Sequence, residues 1–132
     1  WIIKTELLEP IKPLLNAGMI FEAIVLMLNN ISANSVFYKK ALKLEGAVTF
    51  NQIAMKCVYE MFMNIISEKS TGKKSKYRWL TPEVISTYYA QSLCFITEGW
   101  IAQGMDDIEP KEMAEAYMYL ITRSMDDILS EL

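Results

Sequence analysis

The sequence predicts an all-α fold, an antiparallel bundle of about five to six helices. Two observations point there. Apolar residues recur at three- and four-residue spacings through 19–33, 49–68, 81–103 and 110–132, and the boundaries of these segments carry helix start and stop residues such as Thr81-Pro82, Gly46, Gly104 and Pro110. A third observation, the length of 132 residues, fits one domain spanning 1–132.

The first segment, Trp1 to Leu15, holds Ile2, Ile3, Leu7, Leu8, Ile11 and Leu14 at helical spacing, interrupted by Pro10 and Pro13. A helical turn or two followed by a bend is expected. Asn16-Ala17-Gly18 is a turn signal, and Met19 to about Ala33 is apolar almost all round, with Glu22 and Asn29 as a thin polar stripe. Such a helix is buried. Asn34 or Ser35 can cap a short helix over Val36 to Leu44, with Lys39, Lys40 and Lys43 facing water and Gly46 marking its end.

Thr49 to about Glu68 is the most buried helix by pattern, with Phe50, Ala54, Met55, Val58, Tyr59, Met61, Phe62, Ile65 and Ile66 covering more than half of the wheel. The stretch Lys69 to Trp79, KSTGKKSKYRW, reads as a loop with five cations, either an anion contact or a solvated connection. It is no phosphate-binding loop, since Ser67 stands where that motif wants glycine.

Thr81 to Met105 organises the rest. Thr81 can cap a helix, Pro82 suits its first position, Glu83 meets the positive end of its dipole, and Gly104 suits its end. Val84, Ile85, Tyr88, Tyr89, Leu93, Phe95, Ile96 and Trp100 fall on one arc of about 180°. That arc is too wide for a single neighbour. Ser92 and Gly99, near its middle, would let another helix come close, so a partner surface is expected here. Asp106 to Glu109 is a polar connection, and Pro110 to Leu132 is read as one amphipathic helix with Met113, Ala114, Tyr117, Met118, Leu120, Ile121, Met125, Ile128 and Leu129 on one half of the wheel and Ser124 among them as a second point of close approach.

Composition narrows the function. Hydrophobic residues make up 52% of the chain, more than one small core consumes, which favours oligomerisation or an internal apolar pocket. The net charge of −3 argues against a phosphate-gripping surface. There is no histidine, so the commonest general base is absent, and Cys57 and Cys94 lack metal-ligand spacing. No catalytic residue, metal site or cofactor is expected. Apolar runs are broken by Glu22, Asn29 and Asn30 well short of a membrane span, and Lys4, Glu6 and Glu9 interrupt any signal-like segment. A cytoplasmic fragment of a longer protein is the expectation.

Tyr88-Tyr89-Ala90, Ile96, Trp100-Ile101, Gly104-Met105, Pro110 and the final helix resemble the C-terminal regulatory domain of tetracycline-repressor-like (TetR) transcription regulators, most closely the branch common in Firmicutes. Asn34 to Leu42, NSVFYKKAL, resembles a second stretch of that domain. The resemblance implies a homodimer built from Thr81–Gln103 and Pro110–Leu132 of each copy, a DNA-reading head before Trp1 that is missing here, and a small apolar effector or a regulatory protein as the signal. The interface residues are then Tyr88, Ser92, Phe95, Ile96, Gly99, Trp100, Tyr117, Ile121, Ser124, Met125 and Ile128. In such domains the preceding helices wall the ligand cavity, and a cavity here would be lined by Phe21, Met55, Tyr59, Phe62 and Phe95, with Asn64 a further polar contact. The rival reading is a helical protein-protein interaction module with neither effector nor DNA head. The nine methionines fit either a packed core or an adaptable cavity wall.

Overall fold

A computed structural model describes residues 3–43, 49–69, 72 and 75–132, and among these the chain is an all-α bundle with seven α-helices. Ile3–Leu8 is wound as a π-helix and runs directly into α1 (Glu9–Asn16). Pro10 accounts for the wide turn: it has no N–H to offer the Glu6 carbonyl four residues back, and the Asn30 side chain donates to that oxygen at 3.4 Å. The prolines therefore perturb the bonding without ending the helix, where a turn or two and a bend were expected.

Helix α2 (Ile20–Ala33) buries Ala23, Ile24, Met27, Leu28 and Ile31 and packs against α1 and α6. It is the buried helix its composition predicts. The chain then turns by 89° into α3 (Ser35–Leu42). Asn34 does not cap α3. Its side chain donates backward to the Asn30 carbonyl at 3.1 Å, closing α2, and α3 has no side-chain cap. Gly46, the expected end of this helix, lies outside the described residues.

Helix α4 (Phe50–Lys69) starts in a reciprocal cap: the Thr49 N–H donates to Gln52 Oε1 at 2.8 Å, and the Gln52 N–H donates to Thr49 Oγ1 at 3.2 Å. Only Ala54, Val58 and Met61 are fully buried on it, while Phe50, Ile53, Met55, Tyr59, Phe62 and Ile65 are half-buried against the core. The most apolar wheel is thus not the most covered one. Lys69, expected in the following loop, is the last residue of α4.

Helix α5 (Pro82–Ala102) begins as its sequence predicts, with the Val84 N–H donating to Thr81 Oγ1 at 3.2 Å and Pro82 in the first turn. Past its end Gly104 takes φ +100°, a left-handed conformation that glycine adopts without strain. Helix α5 packs most extensively on α4, and also touches α3 and α6. The C-terminal helix is not continuous. Helix α6 (Pro110–Thr122) ends at an extended Arg123, and Ser124 caps a separate α7 (Met125–Glu131), its Oγ accepting the Asp127 N–H at 3.1 Å. The five to six helices expected become seven partly through this break. The core lies where α2, α4 and α5 meet the first segment and α6, with Ile3, Ile11, Leu28, Ile31, Leu93, Ile101 and Tyr117 almost wholly enclosed. Among the described residues no single helix is long and apolar enough to cross a membrane.

Candidate functional site

Helix α5 has two working faces. Ser86, Ala90, Leu93, Cys94, Trp100 and Ile101 turn into the bundle. On the opposite side Tyr88 and Phe95 are 62% and 69% exposed, and Gly99 is exposed beside them. A Cβ at Gly99 would meet nothing within 4 Å, so nothing inside this chain requires glycine there. The C-terminal helices also carry large exposed apolar side chains, Leu120, Met125 and Leu129. Near the start of α5 an open hollow of about 680 Å³ runs between Trp79, Leu80, Val84 and Tyr88. Trp79, 75% exposed, stands at its edge.

The predicted interface residues divide between these faces. Tyr88, Phe95, Gly99 and Met125 are exposed; Ile96 and Ile128 are half-buried. Trp100 is not on the outward face. It is enclosed, and its Nε1 donates to the Ile108 carbonyl at 2.8 Å, clamping the connection that follows α5. An indole this large needs both a dry bed and an acceptor, and the loop supplies the acceptor. Tyr117 is also enclosed, its hydroxyl 2.8 Å from Ser92 Oγ, so Ser92 joins α5 to α6 within the chain rather than sitting bare for a second helix. Ile121 lines a cavity between the helices that is open on one side, and Ser124 is occupied as a helix cap.

That cavity measures about 440 Å³ and lies among α1, α2, α4, α5 and α6. Ile11 and Leu15 wall it from α1, Ile24 and Met27 from α2, Met61, Phe62 and Ile65 from α4, Ile85, Tyr89 and Leu93 from α5, and Tyr117, Met118 and Ile121 from α6. The Phe62 and Tyr89 rings meet at 6.0 Å across the α4–α5 wall. Lys69 supplies a cation at its border. Of the residues expected to line a cavity, Phe62 does so. Phe21 instead borders a surface hollow with Val25, Leu26 and Lys111, Phe95 is exposed on the far side of α5, and Met55 and Tyr59 pack partly against the core without reaching the cavity. Asn64 borders a different hollow with Lys4, Lys12 and Glu60. The missed residues are mostly aliphatic, with Met27, Met61, Met118, Tyr89 and Tyr117 among them, and helical periodicity marks such residues as inward without saying whether they meet another side chain or a space.

Electrostatics favours neutral groups inside. Burial pushes the Tyr117 phenol up, opposed by its hydrogen bond with Ser92. Burial, with Glu98 and Cys57 nearby, pushes the Cys94 thiol up to about 12, which leaves it protonated and a poor nucleophile. Burial also raises Glu98, against a 2.7 Å hydrogen bond from Asn51 that favours its charged form.

A family model described as a transcriptional regulator C-terminal region matches residues 19–123, from just before α2 to the end of α6. The chain belongs to this TetR C-terminal family. No curated protein and no solved structure matches it significantly. The TetR C-terminal domain is the body of a transcriptional regulator and not a class of enzyme, and regulators of this family typically act as dimers that bind DNA. The match spans the cavity walls of α2, α4, α5 and α6 together with the outward face of α5.

Proposed function

We propose that this domain is the homodimerising, effector-sensing body of a TetR-like DNA-binding regulator. The observation that carries this reading is the double use of α5: Ile85, Tyr89 and Leu93 wall the cavity while Tyr88, Phe95 and Gly99 lie uncovered on the other side. The outward face packs on the same face of a second copy, with α6 and α7 beside it, in a twofold arrangement. A small apolar effector occupies the cavity. Because Ile11 and Leu15 of α1 form part of the wall, the effector favours one placement of the N-terminal segment over another, and a DNA-reading head attached before Trp1 follows it.

Gly99→Leu tests the pairing. The added side chain points into open space in a single chain and so leaves the fold intact, but it blocks close approach of a second α5. Sedimentation velocity is expected to give a dimer for the unaltered chain and a monomer for Gly99→Leu with unchanged helical circular dichroism. An unaltered chain that sediments as a monomer, or a Gly99→Leu dimer as tight as the original, would remove the proposed interface.

A further inference from the structure

The chemistry of the cavity wall selects the class of effector, an inference that rests on the cavity being the effector site. The residues around the cavity include one ionisable side chain with a fixed charge at neutral pH, the Lys69 ammonium, and no carboxylate. Lys69 closes α4, where its Nζ donates to the Leu15 carbonyl at 3.4 Å, a long bond that leaves two of its three protons free for a ligand. Among the described residues it has no carboxylate partner. Lys69 is exposed and borders the cavity together with Ile65, Ile66 and Leu15, so its side chain stands between an apolar chamber and water.

A neutral apolar ligand uses none of this. A cationic amphiphile would bring like charge to Lys69. An apolar body ending in one carboxylate buries its hydrocarbon against the isoleucines, Met27, Met61 and Phe62, and presents its head group to the ammonium as a charge-assisted hydrogen bond. Tyr117 is paired with Ser92, whose Oγ donates to the Tyr89 carbonyl at 3.0 Å, so neither hydroxyl requires a second polar group on the ligand. We propose that the effector is a monoanionic amphiphile, a medium-length or small cyclic carboxylate, held by Lys69 at the carboxylate end.

The test is calorimetric titration of the full chain with decanoate, decanol and decylammonium, each below its micelle concentration, repeated on Lys69→Gln. Decanoate is expected to bind at least tenfold more tightly than decanol, about 1.4 kcal/mol, with decylammonium weakest. In Lys69→Gln decanoate should fall to the affinity of decanol, and decanol should not change. Equal affinities for decanoate and decanol in the unaltered chain would overturn the carboxylate assignment while leaving an apolar effector cavity in place. Equal losses for both ligands in Lys69→Gln would also overturn it, because Lys69 would then act by tying α4 to α1. Failure of all three to bind would count against the cavity as an effector site, and so against the function proposed above.

Discussion

Two buried tyrosines carry opposite consequences for stability. The Tyr117 hydroxyl has its partner in Ser92 Oγ at 2.8 Å, and Ser92 Oγ in turn donates to the Tyr89 carbonyl at 3.0 Å, so Tyr117→Phe removes one buried hydrogen bond and should cost about 1 kcal/mol in urea unfolding. The Tyr38 hydroxyl is enclosed with no hydrogen-bond partner among the described residues, so Tyr38→Phe should be neutral or stabilising by up to about 1 kcal/mol at pH 7. Alkali separates them further. Burial first, and Glu6 second, push Tyr38 from 10.0 up to about 12. The unfolded chain therefore releases this proton before the folded one does, and the stability it contributes is present below pH 10 and lost as pH rises toward 12. A urea midpoint followed from pH 7 to pH 12 should fall above pH 10, and fall less steeply in Tyr38→Phe. An identical slope in the variant would show that Tyr38 does not keep its proton in the folded chain. Neither tyrosine's environment was legible in sequence, because both depend on partners from other helices. Trp100 shows the same limit: its place on the α5 wheel is correct to within the arc, yet only the Ile108 carbonyl decides that it turns inward.

Helix ends are legible where the cap is local. Thr81, Pro82 and Gly104 were readable because each acts within a turn of its own position. The break between α6 and α7 was also written locally, as Ser124 followed three residues later by Asp127, a capping pattern hidden by the continuous apolar stripe of Met118, Ile121, Met125 and Ile128. The tetrapeptide MDDI underlines the point: at 105–108 it is non-helical, and at 125–128 it opens α7 because Ser124 precedes it. Removing the caps should have unequal effects. Thr81→Ala should cost about 1 kcal/mol of global stability, since α5 is central. Ser124→Ala should leave global stability nearly unchanged, because α7 buries no residue, and should instead raise amide exchange in 125–131. A Ser124→Ala loss as large as that of Thr81→Ala would mean that α7 is packed into the cooperative unit.

At the scale of the molecule, the fold class and the family were readable from periodicity and a few aromatic and glycine positions, but the cavity was not. A cavity is a property of how far apart helices stand, and Ile11, Ile85 and Ile121 look the same in sequence whether they touch one another or line a partly open space of about 440 Å³. The excess of apolar residues did foretell that something beyond one core was present, and the structure shows it in two places, the cavity and the exposed side chains of Tyr88, Phe95, Leu120, Met125 and Leu129. Helix α5 contributes to both, with Ile85, Tyr89 and Leu93 on the cavity and Tyr88 and Phe95 on the outward face. A native mass spectrum of the chain at micromolar concentration tests this arrangement most directly. The expected species is twice the chain mass of 15.2 kDa, and added mass from a retained small molecule would place an effector in the same particle. A clean monomer across the micromolar range would contradict the proposed twofold body and leave the outward face of α5 without its partner.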